Sequence, residues 1–339
     1  MLRLKCNKFY SLLIIGLLVG TLFINLIVLA GNAQKIMNLA GNISPTHPER
    51  KVLDFFANRL NEITNGEIKV EIFDSGVLGD EREMMDQMQA GTLDFARITA
   101  SMLSSISKGY GLANIPFFYK DVDELLKVVG SRQFKQVVEP PLIEQGFRPI
   151  ADYWGGTRDL YTLTPVYSLE DLNGMKIRTM QDPTLLEVWK ALGAIPTPIS
   201  FSELFSALQT GIVDGGEGSP TSFYAQSFYE VAKYLTKISY MHVYMPLCIS
   251  ESSWQNLSPS HKIAVLIAAD EATELIIEVY NNSADEAYES AKLKGVEIIN
   301  PTDMEKWQKK AEPLVYKIAE DAAGIDGKNI IDWILHSRE

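Results

Sequence analysis

The sequence has few of the residues that carry metal, redox or nucleophilic chemistry. Its 339 residues include two cysteines, Cys6 and Cys248, and four histidines. The histidines are scattered, with no spacing typical of a metal site; they are His47, His242, His261 and His336. With Cys6 near the N-terminus, Cys248 has no second cysteine in the body of the chain, so a large apolar core must stabilise the protein. Cys248 is predicted to belong to that core.

Motifs of common enzyme classes are missing as well. There is no Gly-x-Ser-x-Gly sequence and no P-loop. The glycine-rich run GGEGSPT (215–221) resembles half of a dinucleotide fingerprint, but it leads into Ser-Pro and not into a long helix. Asp80 and Glu81 are predicted to lie on an exposed face and to serve solubility. The sequence therefore predicts no catalytic set, no metal and no cofactor.

Outside the first residues, acidic side chains clearly outnumber basic ones. The net charge is −12, and the first 33 residues hold three basic and no acidic residues, so the remainder carries −15. An acidic surface of this size argues against nucleic acid as a partner. It leaves room for a small anionic ligand, because a local site can oppose the overall sign.

The N-terminus has the pattern of a secretory signal. Arg3, Lys5 and Lys8 precede an uncharged, apolar run from Phe9 to about Ala33, and small residues precede Gln34. We expect cleavage after Ala33 and a periplasmic location for the rest of the chain. The alternative is an uncleaved anchor, since about 20 apolar residues can span a bilayer.

The body of the chain alternates strand and helix patterns, which favours open α/β sheets arranged in two lobes. The pattern starts with a strand at Lys35–Ser44 and includes strands at 92–100, 148–153 and 158–162, the last two joined through Gly155-Gly156. From Ser258 to Lys294 there is neither glycine nor an internal proline, and apolar residues such as Ile263, Leu266 and Ile267 recur at helical spacing. About 36 residues at 1.5 Å give a helix of roughly 54 Å, long enough to cross both lobes.

Two arginines stand at strand ends. Arg178 ends the strand in GMKIRT, just before a helix that Asp182 is expected to cap and Pro183 to begin. Arg158 follows Gly155 and Gly156, which permit close backbone approach. A guanidinium grips a carboxylate with two parallel hydrogen bonds, and helical N–H groups also favour anions. An arginine with either spacing alone is more often a surface residue, but two at strand ends of one lobe make an anion site an equal alternative.

Several longer motifs make the chain similar to a known family. The run LNGMKIRTMQDPTLLEVWKALGAIPTPISFSELFSALQTGIVDGGEGSP resembles the signature region of the solute-binding subunit of TRAP (tripartite ATP-independent periplasmic) transporters, of the DctP type. SGVLGDEREMMDQMQAGTLDFA and GLANIPFFYKD resemble the N-terminal lobe of that family, and KLKGVEIINP resembles its C-terminal part. The resemblance covers the chain after the predicted leader.

The resemblance implies a two-lobed, flytrap-like α/β fold with a cleft and a long C-terminal helix spanning both lobes. We expect residues 34–155 with about 244–283 in lobe 1, and 156–243 with about 284–339 in lobe 2. It also implies a role: the protein captures a small organic acid, closes around it and delivers it to a TRAP membrane permease. We expect it to act as a monomer without cofactor or ATP.

The resemblance also carries over binding residues by position. It implies Arg178 as the principal carboxylate ligand and Arg158 as a second arginine. Other implied residues of the substrate site are Asn42, Thr99, Gln181 and Phe201, with Trp154, Glu217 and Tyr240 in the wall. Gly218 departs from the family, many of whose members have an asparagine there. That departure leaves the particular acid open.

Two other functions are compatible with the same sequence. A sensor-coupled binding protein would deliver the ligand to a receptor in place of a permease. A secreted enzyme acting on an organic acid would need a general acid or base near Arg178, and Glu217 is the candidate that the sequence offers.

Overall fold

A computed structural model of the chain describes residues 34–323 and 327–336. The predicted leader (1–33), with Cys6, lies outside the described residues. Among those described, the strands are β1 (Lys35–Ala40), β2 (Ile68–Phe73), β3 (Phe95–Arg97), β4 (Phe147–Ala151), β5 (Trp154–Thr162), β6 (Lys176–Thr179), β7 (Ile195–Pro198), β8 (Gly215–Gly218), β9 (Tyr234–Tyr244), β10 (Leu247–Ser250) and β11 (Glu297–Ile299). The α-helices are α1 (Arg50–Ile63), α2 (Glu81–Gln89), α3 (Ala100–Leu103), α4 (Val122–Val129), α5 (Arg132–Glu144), α6 (Pro183–Ala191), α7 (Leu204–Gln209), α8 (Pro220–Ala225), α9 (Glu251–Gln255), α10 (Pro259–Leu293), α11 (Met304–Ala323) and α12 (Gly327–His336).

The strands form two sheets, each the centre of one lobe. The first lobe has the order β2-β1-β3-β10-β4, with β1, β2 and β3 parallel and β10 antiparallel to both of its neighbours. The second lobe has the order β11-β9-β5-β8-β6-β7. The chain passes from the first sheet to the second between β4 and β5, and returns between β9 and β10. The predicted α/β fold with two lobes is confirmed.

The long C-terminal helix is also confirmed, as α10. Ser258 caps it by accepting a hydrogen bond from the His261 N–H at 3.1 Å, and Pro259 occupies its first turn. The helix packs against α1 and β4 in the first lobe and against α8 and β5 in the second. Its buried face is rich in alanine, whose small side chain lets the helix approach its neighbours closely. The apolar residues Ile263, Leu266 and Ile267, which recur at helical spacing, are exposed.

Strand β5 differs from its predicted form. The sequence suggested two strands joined through Gly155-Gly156, whereas these glycines lie within a continuous strand that begins at Trp154. Arg158 therefore lies inside β5, and the prediction that it stands at a strand end was wrong. Gly156 has φ +89°, and a Cβ on it would lie 2.6 Å from the Cβ of Ser219. A glycine is therefore required by both the backbone angle and the space. This close approach brings β5 against the start of α8.

The C-terminal helices connect the lobes on another side. Helix α11 packs against the 3₁₀ helix Lys108–Asn114 of the first lobe and against α6 of the second. Its Trp307 is fully buried in the same apolar cluster as Trp189 of α6. None of the helices described in residues 34–323 and 327–336 is both long and apolar enough to cross a membrane.

Candidate functional site

A charged cleft lies between the two lobes. It consists of two adjoining chambers of about 430 and 460 Å³, including space open to solvent. Each chamber receives side chains from both lobes. Their shared lining residues are Asn42, Glu81, Thr99, Arg178, Met180 and Phe201. Two strand-end segments of the first lobe thus face two strand-end segments of the second.

Arg178 lies on the second-lobe side of both chambers. It follows Ile177 in β6, an interior strand held between β8 and β7, which fixes its backbone. Its Nε donates to the carbonyl oxygen of Ile199 at 2.8 Å, and the guanidinium lies over the Phe201 ring, 5.7 Å from its centroid. Nη1 is buried and makes no hydrogen bond; the nearest carboxylate oxygen, Oε1 of Glu217, is 3.9 Å away.

Arg158 lines one chamber beside Arg178 and is tied to the same glutamate. Its Nε donates to Glu217 Oε2, and its Nη2 donates to the Glu217 carbonyl at 2.5 Å. The Tyr240 hydroxyl donates to Glu217 Oε2 at 2.6 Å, and the Thr179 hydroxyl donates to Oε1 at 3.3 Å. Glu217 is therefore a buried carboxylate shared by two arginines, one of which it contacts much more closely.

The pKa values follow this unequal sharing. Burial is the largest single influence and lowers the pKa of Arg158, but the charge and hydrogen bond of Glu217, together with Tyr240 and Tyr161, raise the pKa above its usual range. Burial lowers the pKa of Arg178, and Glu217 at its greater distance offsets this only in part. Arg178 is thus a desolvated cation whose compensation is incomplete, a situation that an anionic ligand would relieve.

A third arginine, which the sequence analysis missed, lies on the first-lobe side. Arg97 is buried, lines the 460 Å³ chamber and forms an ion pair through Nε with Glu49 Oε1. The Tyr280 hydroxyl of α10 donates to Glu49 Oε2 at 2.7 Å. The signal used for Arg178 would have found Arg97 if the strand had been predicted correctly. We expected a strand at 92–100, but β3 ends at Arg97, so this arginine also stands at a strand end.

Glu81 does not lie on a solubilising surface as predicted. Asp80 caps α2, and the first helical residue, Glu81, then points into the cleft and lines both chambers. Its Oε2 accepts hydrogen bonds from the Thr99 N–H at 3.0 Å and the Thr99 hydroxyl at 2.6 Å. Burial raises the pKa of Glu81, although the Thr99 hydrogen bonds lower it.

The N-terminus of α6 does not offer open N–H groups beside Arg178, as the sequence had suggested. The Asp182 side chain caps it, accepting from the Thr184 N–H at 2.8 Å. Asp182 also accepts a hydrogen bond from the Asn114 side chain of the first lobe at 3.2 Å. Because a carboxyl group already occupies this helix end, the guanidinium groups carry the anion chemistry of the cleft.

The remaining predicted site residues divide into two groups. Asn42, Thr99, Gln181 and Phe201 line at least one chamber, as do both predicted arginines. The other predicted residues are buried and are not lining residues of either chamber; they are Trp154, Glu217, Gly218 and Tyr240. Trp154 packs against Tyr280 with ring centroids 5.5 Å apart. A Cβ on Gly218 would lie 3.2 Å from the Tyr161 hydroxyl oxygen.

No metal-binding group of three or more His, Cys, Asp or Glu side chains is found in the part of the chain that the structure describes. The predicted core position of Cys248 is confirmed: it is fully buried in β10, where burial raises the pKa of its thiol.

Two α/β lobes joined by short connections, with an arginine-lined cleft between them, define a solute-binding protein. Residues 39–321 match the family model of the bacterial extracellular solute-binding proteins, family 7 (DctP). The chain therefore belongs to this family, whose members are the solute-binding subunits of TRAP transporters.

Curated relatives and solved structures agree with this membership. The chain is 30% identical to the sialic acid-binding periplasmic protein SiaP of Vibrio cholerae, over 84% of this chain and 88% of that protein. It is 35% identical over 219 residues to a solute-binding protein of Roseobacter denitrificans, covering 65% of this chain and 67% of that one. The crystal structure of the Roseobacter protein with bound L-galactonate matches with a TM-score of 0.82 at 29% identity, covering 89% and 99% of the two chains. A Sulfurospirillum deleyianum TRAP solute-binding protein with bound succinate matches with a TM-score of 0.83 at 28% identity, over 89% and 99%.

Proposed function

We propose that this protein captures a small organic acid between its lobes and delivers it to a TRAP-type permease, with Arg178 as the group that binds the carboxylate. The family membership supports the transport role. The relatives with bound L-galactonate and succinate support an acid as the ligand. The single observation that carries the role of Arg178 is that this arginine lines both chambers while its buried Nη1 makes no hydrogen bond.

A carboxylate at Arg178 satisfies the chemistry that the protein leaves open. Nε is already used by the Ile199 carbonyl, so the terminal Nη groups are the ones available to a ligand. The Phe201 ring supports the guanidinium plane. Within a closed cleft the charge-assisted hydrogen bonds are shielded from water and correspondingly strengthened.

We propose that some of the other predicted residues contact the ligand directly and that the rest support those contacts from behind. Asn42, Thr99, Gln181, Phe201 and Arg158 contact the ligand from the chamber walls. Glu217 acts from behind by holding Arg158 in place, and Tyr240 in turn donates to Glu217. Trp154 shapes the wall through Tyr280, and Gly218 leaves room for Tyr161 behind the wall. Both carboxylate oxygens of Glu217 already accept hydrogen bonds, which argues against the general acid or base that a secreted enzyme would need.

Closure is proposed to be held by direct contacts between the lobes. The Gln226 side chain donates to the Asn42 carbonyl at 3.3 Å, and the Ser44 hydroxyl donates to the Ala225 carbonyl at 3.2 Å. We propose the lobe division given above, 34–155 with about 244–283 and 156–243 with about 284–339. We also propose export through the leader, a periplasmic location, and a monomer as the working form.

A thermal-shift screen against organic acids tests the proposal. The protein, purified after export, is compared with Arg178→Ala, and Arg132→Ala serves as the control because Arg132 is an exposed arginine on α5, outside the cleft. A ligand that binds the native state raises the melting temperature by mass action. We expect at least one acid to stabilise the wild type and the control but not Arg178→Ala. Equal stabilisation of all three proteins would refute the role of Arg178, and no stabilisation by any acid would refute capture of an acid.

A further inference from the structure

The charged groups of the cleft are nearly balanced. Four arginines line the two chambers: Arg82, Arg97, Arg158 and Arg178. Four carboxyl groups face them; Asp80 and Glu81 line the chambers, and Glu49 and Glu217 lie behind the arginines. Among the buried arginines, Arg97 and Arg158 each have a close carboxylate, and Arg178 is left with a distant one. Arg178 is therefore the one of these three arginines without a carboxylate in close contact, and the one most available to a ligand.

The first-lobe end of the cleft differs from the end at Arg178. There Arg97 is neutralised by Glu49, which is itself fixed by the Tyr280 hydroxyl. Arg97 Nη1 faces the Met245 sulfur at 3.6 Å, a weak acceptor that leaves the guanidinium free to donate to a better one. A neutralised guanidinium binds a hydroxyl group well. A second ligand carboxylate there would add a buried negative charge beside Glu49, and no unpaired cation at that end would compensate for it.

Glu81 also favours ligand hydroxyl groups over a second ligand carboxylate. Its carboxyl group lines both chambers and is held by two hydrogen bonds from Thr99. It is an acceptor for ligand hydroxyl groups, and when ionised it repels a ligand carboxylate. The exposed Arg82 at the rim does not change this balance, because it is hydrated and lies next to Asp80 and Glu81 in sequence.

From this charge arrangement we infer that the ligand is a hydroxylated acid with a single carboxylate, and that Arg97 and Glu81 are the specificity-determining residues that bind its hydroxyl-bearing part and exclude diacids. This rests on the proposed function, because it takes Arg178 as the group that binds the single carboxylate. The carboxylate and the hydroxyl groups of one such acid then occupy opposite sides of the same cleft.

Calorimetric titration with matched acid pairs tests the inference. Galactonate and galactarate share six carbons and differ at one terminal group, a CH₂OH in the first and a carboxylate in the second. Threonate and tartrate form the corresponding four-carbon pair. Within the pair that fits the cleft, we expect the monoacid to bind about tenfold or more tightly than the diacid at neutral pH and fixed salt.

Two variants assign the discrimination to residues. Glu81→Gln keeps an acceptor but removes the charge, so we expect it to improve diacid affinity about tenfold and to change monoacid affinity less. Arg97→Lys keeps the charge opposite Glu49 but loses the planar fork, so we expect weaker monoacid binding with little change in the melting temperature of the unliganded protein. Equal discrimination in Glu81→Gln and wild type would remove Glu81 from the mechanism.

The outcomes separate this inference from the function on which it rests. Diacid binding as tight as monoacid binding, still lost in Arg178→Ala, would overturn the inference and leave the proposed function standing. Binding that is unaffected by Arg178→Ala, or absent for all four acids and the wider panel, would overturn the proposed function itself.

Discussion

The two walls of the cleft pair the same kinds of charged residues in different proportions. On the second-lobe wall two arginines, Arg158 and Arg178, share one buried glutamate, Glu217. On the first-lobe wall Arg97 has Glu49 to itself. The first arrangement leaves Arg178 without a carboxylate in close contact, whereas the second gives Arg97 a close one. Under the proposed function, Arg178 therefore binds the ligand carboxylate and Arg97 donates to uncharged ligand groups.

The availability of each arginine to an anion depends on the carboxylate beside it and not on the number of arginines in the cleft. A buried ion pair is costly to form and much costlier to break, so each arginine is governed by the carboxylate it already has. Single substitutions test this dependence, beginning with the one expected to change the unfolding free energy most.

Removing the shared carboxylate should destabilise the second-lobe wall most. Glu217→Gln leaves Arg158 and Arg178 as buried cations without an anion, and we expect the free energy of unfolding to fall by about 3 kcal/mol or more. A bound acid then replaces part of the lost charge, so the stabilisation by ligand should increase. Urea unfolding with and without acid measures both effects.

The exposed Glu230→Gln is the matched control for this change, and it should alter neither quantity. A Glu217→Gln protein as stable as the wild type would show that the two arginines do not depend on Glu217.

Asp159 is a buried carboxyl group without a guanidinium partner, in contrast to Glu49 and Glu217. Asp159, next to Arg158 in β5, is fully buried and accepts hydrogen bonds from Tyr288 and the Ser239 N–H, and burial raises its pKa from 3.8 to about 6. Between pH 4 and 6 the native state therefore holds a proton that the unfolded chain has lost. This contribution to stability falls as pH rises through that range and stays low above it.

Asp159→Asn removes this titration. Relative to the wild type, the variant should gain about 3 kcal/mol in unfolding free energy between pH 4 and pH 7, from a shift of about two pKa units. Urea unfolding of both proteins across this range measures the difference, in which the other titrating groups cancel. A difference that does not change with pH would contradict the raised pKa of Asp159.

Removing the Tyr280 hydroxyl from the first-lobe wall should lower the free energy of unfolding less than removing the Glu217 charge does. Tyr280→Phe deletes the hydroxyl that donates to Glu49 and keeps the ring that packs on Trp154. Because Arg97 still pairs with Glu49, we expect a loss of about 1–2 kcal/mol in unfolding stability. Thermal and urea unfolding measure this loss, and a cost equal to that of Glu217→Gln would mean that the two walls are organised alike.

The smallest effect is expected from a change at the contact between the two walls, where His47 of the first lobe meets Ser222 of the second. His47 accepts from the Glu49 N–H through Nδ1 at 3.2 Å, so its Nε2 carries the proton and donates to the Ser222 hydroxyl at 3.1 Å. Burial, with Arg97, lowers the pKa of His47 to about 3, which keeps the ring neutral. Ser222→Ala should weaken ligand affinity by about 1 kcal/mol, equally at pH 5 and pH 8, as calorimetry can measure. An affinity loss that grows toward pH 5 would contradict a neutral His47.

Local signals in the sequence predicted much of the fold. Ser258 and Pro259, followed by 35 residues without glycine or proline, were enough to place α10, because a cap and an uninterrupted helix-forming run act within a few residues of each other. The strand and helix around Arg178 were also predicted, with Asp182 as cap. The extent of β3 was not, because three residues pair only where β1 and β10 happen to meet them.

The candidate site was predicted unevenly for the same reason. Arg178, Arg158, Asn42, Thr99, Gln181 and Phe201 line the cleft, and motif resemblance was sufficient to select them. Arg97 and Glu81 were missed, because nothing in the local sequence indicates that a residue at 49 lies beside 97, or that the first residue of α2 faces a chamber. Such pairings depend on how the sheets assemble.

The sequence by itself determined the fold class, the long helix and the arginine at the end of β6, since each depends on residue types close together in the chain. Only the tertiary structure decided which arginine keeps its charge available. That property depends on which carboxylates are buried beside each guanidinium, and Glu49, Arg97 and Tyr280 come together from positions 231 residues apart at the extremes. The balance of desolvation and ion pairing exists only once the two lobes have formed and enclosed the cleft.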